Sequence, residues 1–330
     1  MSPPVGGLTD CRPLLRRRRP RTVSAKLLTV AVSIALAVAI DTLTGGRWRA
    51  FSGGAAVLAS VLVFLPGLSW LVKPVGAYAG VWLVFNLLRA WTDDTAWANR
   101  VLGVAPRLEA RLFAGRLPSA VLQERFSEPP RFAWYDYGLT AVYLSFFVVP
   151  HLVAILLLWR SRRLFWRYLL ATGTLFALAL VGFFLIPTAP PWLVADTLPA
   201  AGLAEIRRLT EETLGTLDLP FRLYNHGQGE GARVSEVRFE PNPIAAMPSI
   251  HFASTALLVF PARRGGRLLG GAALLYAALM GAALVYLGEH YVLDLAVGGL
   301  LAALGWAVAG RCLANGGEDA ASPIGRAGSQ

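Results

Sequence analysis

The chain has 330 residues, of which 55% are hydrophobic and only 15% are charged, and its formal net charge is +11. A soluble globular protein usually has about 25% charged residues. The apolar residues fall in blocks of roughly 18–22 residues separated by short basic loops. This pattern argues against a soluble enzyme, a secreted disulfide scaffold and a disordered regulator. The charge comes without a recognition motif, so nucleic acid is not an expected partner.

The apolar blocks predict an all-α polytopic membrane helix bundle with about eight transmembrane helices. In chain order, the predicted helices cover residues 26–44, 54–72, 75–92, 138–159, 165–186, 249–262, 268–287 and 291–311. The sixth is short for a membrane span. No internal repeat is evident by eye, which weakens a transporter built from inverted repeats.

The segments between the helices suggest an organisation in five parts. A disordered basic cytoplasmic tail (1–24) precedes the N-terminal transmembrane helices (25–92) and an extracytoplasmic interfacial segment (93–133). A transmembrane core (134–312) with a long outer loop (187–248) follows, and a disordered cytoplasmic tail (313–330) comes last. Within the interfacial segment, residues 105–126 predict an amphipathic helix lying on the membrane surface, with a plain connector as the alternative.

The positive charge predicts the orientation of the helices. It concentrates in arginine groups at 16–21, 160–167 and 263–267 and at Arg311. With the N-terminus inside and eight crossings, all four groups fall on the cytoplasmic side. The sequence therefore predicts an integral protein of the plasma or inner membrane with both termini in the cytoplasm.

Residues 288–294 (GEHYVLD) place ionisable groups at the predicted outer start of the last helix. His290 and Asp294 are four residues apart, so a helix brings their side chains to one face. The carboxylate can hold one imidazole nitrogen as N–H and leave the lone pair of the other free to attack. The alternative is an interfacial histidine with an aspartate that pairs with some arginine.

Residues 246–251 (AMPSIH) lie at the same predicted membrane face. Pro248 and Ser249 precede a helix, Ser249 is a plausible N-cap, and free N–H groups at such a terminus can bind phosphate. His251 in the first turn can donate a proton to a leaving oxygen. Together with His290 and Asp294 it could carry out phosphoryl transfer through a phosphohistidine. The rival interpretation is a metal site, which lacks a supporting cluster of ligands, so we expect no metal and no cofactor.

These motifs, together with residues 187–192 (PTAPPW), follow one another in the order found in a known family. Over residues 135–311 the chain resembles the type 2 phosphatidic acid phosphatase superfamily of integral membrane enzymes, and it looks most like the branch that includes inositol phosphorylceramide synthase. The resemblance implies a six-helix phosphatase-like catalytic core with an extracytoplasmic active site and no metal. It implies His290 as nucleophile, Asp294 as its orienting partner and His251 as general acid.

The departures from the phosphatase members of that family favour transfer over hydrolysis. Those members carry a glycine where this chain has Ile250, an arginine where it has Leu284, and cations absent from residues 187–192. We therefore expect a phosphotransferase that moves a phosphoinositol-like head group from a phospholipid donor to a lipid or glycolipid alcohol. The alternatives are a lipid phosphate phosphatase and a proton-coupled transporter, which should hold its ionisable groups nearer the bilayer midplane.

Further residues are candidates for contact with the substrate. They are Ser249, Pro248, Trp192, Tyr291, Arg238, His226 and His151. His151 has packing inside a helix as its alternative role, and His226 has an ordinary surface position. Arginines on the outer side could neutralise the phosphoryl group, namely Arg89, Arg207, Arg208, Arg222, Arg233 and Arg238. The sequence leaves open whether the protein forms a homo-oligomer.

Overall fold

The computed structural model describes residues 23–43, 70–89, 103–128, 131–197, 205–217 and 245–318. Over these ranges the chain is all-helical and contains no strands. The chain divides into two compact units, Met1–Gly76 and Ala77–Gln330. The expectations for Arg222, His226, Arg233 and Arg238, and for most of the predicted helix 54–72, concern residues outside the described ranges.

The first unit contains α1 (Val23–Leu43) and the first turn of α2 (Val72–Arg89), most of which belongs to the second unit. The apolar described stretch of α1 is Val30–Ala39, which is shorter than a membrane span. Both helices form where the sequence predicts its first and third spans.

The second unit holds the remaining described helices. They are α3 (Val104–Leu112), α4 (Pro118–Phe126), α5 (Trp134–Ser145), α6 (Val149–Arg160), α7 (Arg162–Leu185), α8 (Pro191–Thr197), α9 (Leu209–Gly215), α10 (Ile250–Leu257), α11 (Val259–Arg263), α12 (Arg267–Tyr286) and α13 (Val292–Glu318). Helices α7, α12 and α13 are long and apolar enough to cross a membrane, and α5 with α6 adds a fourth span if the pair is counted as one. The described residues thus support a membrane protein with three or four spans, and the predicted count of about eight is not confirmed.

The predicted helix 138–159 is divided into α5 and α6, whose axes differ by 46°. Pro150 lies in the first turn of α6. A proline lacks the N–H that a continuous helix would need and its ring clashes with the preceding turn, so the helix is interrupted just before it.

The predicted surface helix 105–126 is also two helices, α3 and α4. The connecting turn contains Ala114 (φ +55°) and Gly115 (φ +86°), and Pro118 begins α4. Ala105, Glu109 and Ala110 form the buried face of α3. Its opposite side exposes apolar side chains, as expected of a helix at a membrane surface; they are Val104, Leu108 and Leu112.

Close helix packing surrounds α13, the longest described helix. A Cβ added at Gly298 would lie 2.7 Å from the carbonyl oxygen of Ser249, at the start of α10. A Cβ at Gly305 would lie 2.7 Å from the carbonyl oxygen of Ala171 in α7. Small residues allow membrane helices to approach closely in this way. The helix continues to Glu318, past residue 313, where the sequence predicts the tail to begin.

Candidate active site

The structure brings His251, His290 and Asp294 into a continuous line of contacts. The Nδ1 atom of His290 lies 3.2 Å from Oδ2 of Asp294, and its Nε2 atom lies 3.2 Å from Nδ1 of His251. His290 is 6% exposed, His251 is 5% exposed, and Asp294 is fully buried. The carboxylate can therefore hold a proton on Nδ1 of His290, which leaves the Nε2 lone pair directed towards His251.

The first turn of α10 positions His251. Ser249 is the N-cap, and its Oγ accepts a hydrogen bond from the Phe252 N–H at 3.2 Å. The Ser249 N–H donates to the carbonyl oxygen of Asp294 at 3.2 Å, which ties the start of α10 to the first turn of α13. The predicted N-cap is confirmed, and Pro248 directly precedes it. These contacts bring His251 towards α13 although the two motifs are far apart in sequence.

A tight turn between α12 and α13 positions His290. The N–H groups of Glu289 and His290 both donate to the carbonyl oxygen of Leu284, at 3.0 and 3.1 Å. Gly288 has φ +81°, and a Cβ there would lie 2.7 Å from the carbonyl oxygen of Arg207. Only glycine fits both that backbone conformation and that close approach.

Asp294 stabilises the same turn. Its Oδ2 accepts the Tyr291 N–H at 3.0 Å in addition to facing His290. Its other oxygen, Oδ1, is buried without a hydrogen-bond partner among the described residues. Tyr291 is fully buried, and its burial, reinforced by the nearby Asp294 carboxylate, raises the pKa of the phenol well above its ordinary value. The tyrosine therefore stays neutral beside the carboxylate.

Aromatic rings enclose His251 on the side of α5. Its ring centroid lies 4.4 Å from that of Phe146 and 5.1 Å from that of Tyr143. Phe147 follows at 6.1 Å. Tyr143 is fully buried, so this wall excludes water from one side of the imidazole.

A buried ion pair lies next to His290 in sequence. The Nε of Arg208 donates to Oε1 of Glu289 at 3.0 Å, and its Nη2 donates to Oε2 at 3.3 Å. The Arg208 guanidinium also lies 4.5 Å from the ring centroid of Trp192. The Trp192 backbone N–H donates to the carbonyl oxygen of Gly288 at 3.1 Å. Trp192 and Arg208 therefore both pack on the turn that carries His290.

Gln123, in helix α4, joins three segments around this turn. Its side-chain amide donates to the carbonyl oxygens of Arg207 and Tyr286, each at 2.9 Å, and accepts the Arg207 N–H at 2.9 Å. The sequence offered no signal for this residue, since a glutamine on an amphipathic helix is usually solvated.

Glu109 is a second residue that the sequence analysis missed. It is fully buried, and its Oε2 accepts the Leu293 N–H of α13 at 2.9 Å. Burial raises the pKa of its carboxyl group to about 7, and the nearby Asp294 carboxylate adds to the shift. The sequence offered no signal for it, since a glutamate on an amphipathic helix is usually solvated.

The remaining predicted substrate residues have different surroundings. His151 accepts or donates a hydrogen bond at 2.9 Å to Tyr78 Oη and contacts the Trp82 ring at 4.9 Å between centroids. Those partners belong to the packing between α2 and α6. Arg89 lies 5.7 Å from the Phe183 ring centroid, and Arg207 pairs with Glu212 at 2.8 Å.

The arrangement can perform nucleophilic chemistry with an internal acid and base. One imidazole is oriented by a carboxylate, and a second imidazole lies within hydrogen-bond reach of the attacking nitrogen. Within the described ranges, no group of three or more histidine, cysteine, aspartate or glutamate residues is arranged to hold a metal ion.

Comparison with protein families supports phosphoester chemistry. The family model described as PAP2 superfamily matches residues 108–308, which is more than half of the chain and includes all three central side chains. Comparison with curated proteins and with solved structures gives no match. Members of the superfamily are phosphatases or phosphotransferases. The chain therefore belongs to the PAP2 superfamily and is an enzyme of phosphoester chemistry.

Proposed function

We propose that the protein is a lipid phosphotransferase that moves a phosphorylated head group, of the phosphoinositol type, from a phospholipid to a lipid or glycolipid alcohol. The observation that carries this proposal is the line of contacts from Asp294 through His290 to His251, with 3.2 Å at each step. A histidine nucleophile with an acid–base partner can transfer a phosphoryl group between two alcohols as well as hydrolyse a phosphoester.

The first half of the reaction forms a covalent intermediate. In the donor complex, the phosphoryl group takes the place of the His251 ring against Nε2 of His290. The Nε2 lone pair then attacks phosphorus in the donor phosphodiester, and the bond from phosphorus to the glycerol oxygen breaks. His251, protonated at the start, gives its proton to the departing oxygen. Asp294 stabilises the positive charge that develops on the His290 ring.

The second half returns the enzyme to its starting state. The hydroxyl of the acceptor alcohol gives its proton to His251 as its oxygen attacks phosphorus, and the bond from phosphorus to Nε2 of His290 breaks. The head-group phosphate is then a diester of the acceptor, and His251 is protonated again.

Two features support an alcohol over water as acceptor. The rings of Tyr143 and Phe146 surround His251, and both histidines are almost fully buried, which limits access of water. The chain also lacks the arginine and the cationic motif that the phosphatase members of the family carry, as the sequence indicates at Leu284 and residues 187–192.

Arg208 is the described cation best placed to replace those missing charges. Its partner Glu289 directly precedes His290, and the buried pair keeps the guanidinium at this turn. A phosphoryl group in the transition state needs donors or positive charge around its oxygens. We assign that role to Arg208, together with N–H groups at the start of α10.

The orientation that we propose follows the arginine distribution. With about eight spans and both termini in the cytoplasm, the arginines of residues 160–167 and 263–267 lie inside and the two catalytic histidines face the extracytoplasmic side. The donor lipid then reaches His290 from the outer leaflet.

A turnover assay tests the proposal. The purified protein in detergent is incubated with phosphatidylinositol labelled in its phosphate, with and without ceramide as the lipid alcohol. We expect a labelled acceptor lipid in the presence of the alcohol and little free inositol phosphate without it. Inositol phosphate formed at the same rate in both samples would make the enzyme a phosphodiester hydrolase. Inorganic phosphate released from phosphatidic acid, supplied as a second donor, would make it a lipid phosphate phosphatase, and no turnover of either donor would favour the transporter.

Trapping of the intermediate tests the nucleophile separately. Rapid denaturation during turnover should leave label on the protein in a form stable to base and labile to acid, as expected of a phosphorus–nitrogen bond. H290A should carry no label, while H151A, which changes a histidine with aromatic partners, should still be labelled. Equal labelling of H290A and the unaltered protein would overturn the assignment of His290.

A further inference from the structure

A second charged region lies far from the candidate active site along α13. A cavity of about 500 Å³ opens between the first turns of α7 and the C-terminal part of α13. Its lining includes Gly310, which is separated from the start of α13 at Val292 by roughly 27 Å of helix. Three arginines from two segments line it: Arg163, Arg167 and Arg264.

Contacts with Trp306 hold two of these three guanidinium groups, those of Arg167 and Arg264. Arg163 and Arg167 are one turn apart on α7 and therefore share a face. Nη2 of Arg167 donates to the carbonyl oxygen of Trp306 at 3.2 Å, and its guanidinium lies 4.1 Å from the Trp306 ring centroid. Arg264 lies 5.7 Å from the same ring. Gly310 leaves room for this arrangement, since a Cβ there would lie 2.5 Å from Nη2 of Arg167.

Among the residues whose side chains the structure describes, no carboxylate pairs with this group. The ion pairs of those side chains do not include Arg163, Arg167 or Arg264. The Nε atom of Arg167 is buried, with no hydrogen-bond partner among the described residues. The guanidinium groups of Arg167 and Arg264 both lie against the Trp306 ring, so their positive charges repel each other. An anion between them would remove that repulsion.

The surroundings of the cavity correspond to the edge of a membrane. Trp159 at the end of α6 is 75% exposed, and Leu268 at the start of α12 is 86% exposed. Both lie beside exposed arginines, and tryptophan is enriched where lipid head groups begin. The cavity also has an apolar part, formed by Leu164 and Leu313. An anion that carries acyl chains fits this combination better than a free ion does.

We propose that this cavity binds the phosphate group of an anionic phospholipid between Arg163, Arg167 and Arg264. The planar guanidinium groups donate to the phosphate oxygens, and Leu164 and Leu313 contact the start of the acyl chains. Basic pockets between transmembrane helices bind lipid head groups in this way. The site is separate from His290, so it stands whether or not the proposed reaction is correct.

Lipid binding by the purified full-length protein tests this proposal. The protein is exchanged into a neutral detergent and titrated with short-chain phosphatidylglycerol, short-chain phosphatidylcholine or inorganic phosphate, and retained lipid is counted by native mass spectrometry. We expect one phosphatidylglycerol to bind about tenfold more tightly than phosphatidylcholine. The double variant R163Q/R264Q should lose this preference.

A variant with the same change in charge provides the control. R160Q/R311Q removes two exposed arginines that lie near the cavity but do not line it, one at the end of α6 and one in the C-terminal part of α13. It should keep the preference for phosphatidylglycerol. G310A keeps every charge but displaces the Arg167 guanidinium, and it should weaken binding about threefold.

Three outcomes would overturn the proposal. Equal losses in the two double variants would reduce the effect to general attraction of negative charge. Equal binding of phosphatidylcholine and phosphatidylglycerol would exclude selection for an anionic head group. Inorganic phosphate that competes fully at the same concentration as phosphatidylglycerol would show that the acyl chains contribute nothing and that the ligand is a free anion.

Discussion

Two histidine sites in the second unit differ in the charge of their neighbours. His290 contacts a carboxylate and a second imidazole, at 3.2 Å each. His151 contacts the phenol of Tyr78 at 2.9 Å and the ring of Trp82, which are neutral and aromatic. A single ring, Phe146, lies within 6.2 Å of Trp82 and 4.4 Å of His251, so both sites share the same aromatic core.

This difference in partners determines what each buried imidazole can do chemically. A carboxylate selects the tautomer and stabilises the imidazolium form, and a second imidazole can move a proton. Aromatic partners give His151 a hydrogen bond and packing contacts, but they cannot balance a charge that forms during a reaction. Variants of residues at the two sites test this contrast.

Among the partners of His290, the largest expected effect comes from D294N. Asparagine keeps the shape of the side chain but no longer favours the Nδ1–H tautomer of His290 or stabilises its charge. Turnover should fall roughly 10³–10⁴-fold, as for the aspartate of a serine-protease triad. Turnover in detergent measures the effect, and the unfolding midpoint checks that the fold persists. A loss of less than about threefold would mean that Asp294 only caps α13.

H251A should lose about 10²–10⁴-fold in turnover of a phospholipid donor, since the departing alkoxide then lacks an acid. A donor with a nitrophenol leaving group needs no proton, so with that donor the loss in the first step should be below about tenfold. The release of nitrophenol in a single turnover measures that step. H290A should fail with both donors; an identical pattern for the two variants would contradict separate roles for the histidines.

R208Q should reduce kcat/KM roughly 10²-fold if its guanidinium stabilises the phosphoryl oxygens. R207Q changes the neighbouring exposed arginine and should cost no more than about threefold. Because R208Q alone leaves Glu289 buried without its partner, R208Q/E289Q serves as a second control. Recovery of stability without recovery of turnover is expected, whereas recovery of both would make the pair purely structural.

E109Q should change the pH dependence of stability. The pKa of Glu109 is raised to about 7 in the folded protein, so the folded state holds a proton that the unfolded state releases above pH 4.5. Its contribution is full below pH 4.5 and is lost as the pH rises to about 7. We expect unfolding midpoints to fall from pH 5 to pH 8, and this slope should be smaller in E109Q.

E124Q changes an exposed carboxylate in the adjacent helix α4 and should leave that slope unaltered. Equal slopes in E109Q and the unaltered protein would mean that Glu109 is not the group responsible.

The smallest effect on turnover is expected for H151F. The variant loses the hydrogen bond to Tyr78, which costs about 1 kcal/mol of unfolding free energy. Turnover should stay within about twofold of the unaltered protein, because the ring has no partner that serves the reaction. A loss as large as that of H251A would place His151 in the catalytic site and remove the contrast between the two sites.

The sequence predicts the central residues better than the contacts between helices. His290 and Asp294 are four residues apart and are neighbours as predicted, although His290 lies in the turn before α13 and only Asp294 is in the first turn of the helix. The N-cap role of Ser249 follows from its position before an apolar helix and is confirmed. Both are local properties, which depend on few residues and little on the rest of the fold.

The sequence did not predict the helix breaks, nor the burial of polar side chains, which depends on packing between helices. The break between α5 and α6 at Pro150 and the turn between α3 and α4 divide segments whose apolar pattern is continuous. Glu109 and Gln123 are ordinary surface residues by sequence, and only the packing of α3 and α4 on α13 and its preceding turn buries them.

The amino-acid sequence by itself determined that this is an apolar helical protein with an oriented histidine and a second one at a helix start, because periodicity, capping and hydrophobicity act within a few residues. Only the tertiary structure decided that His251 meets His290, that Arg208 is buried against Glu289, and that three arginines share a distant cavity. Those contacts depend on the close approach of helices at small residues such as Gly298. The free energy of this packing depends on two segments that are distant in sequence, so neither segment alone predicts it.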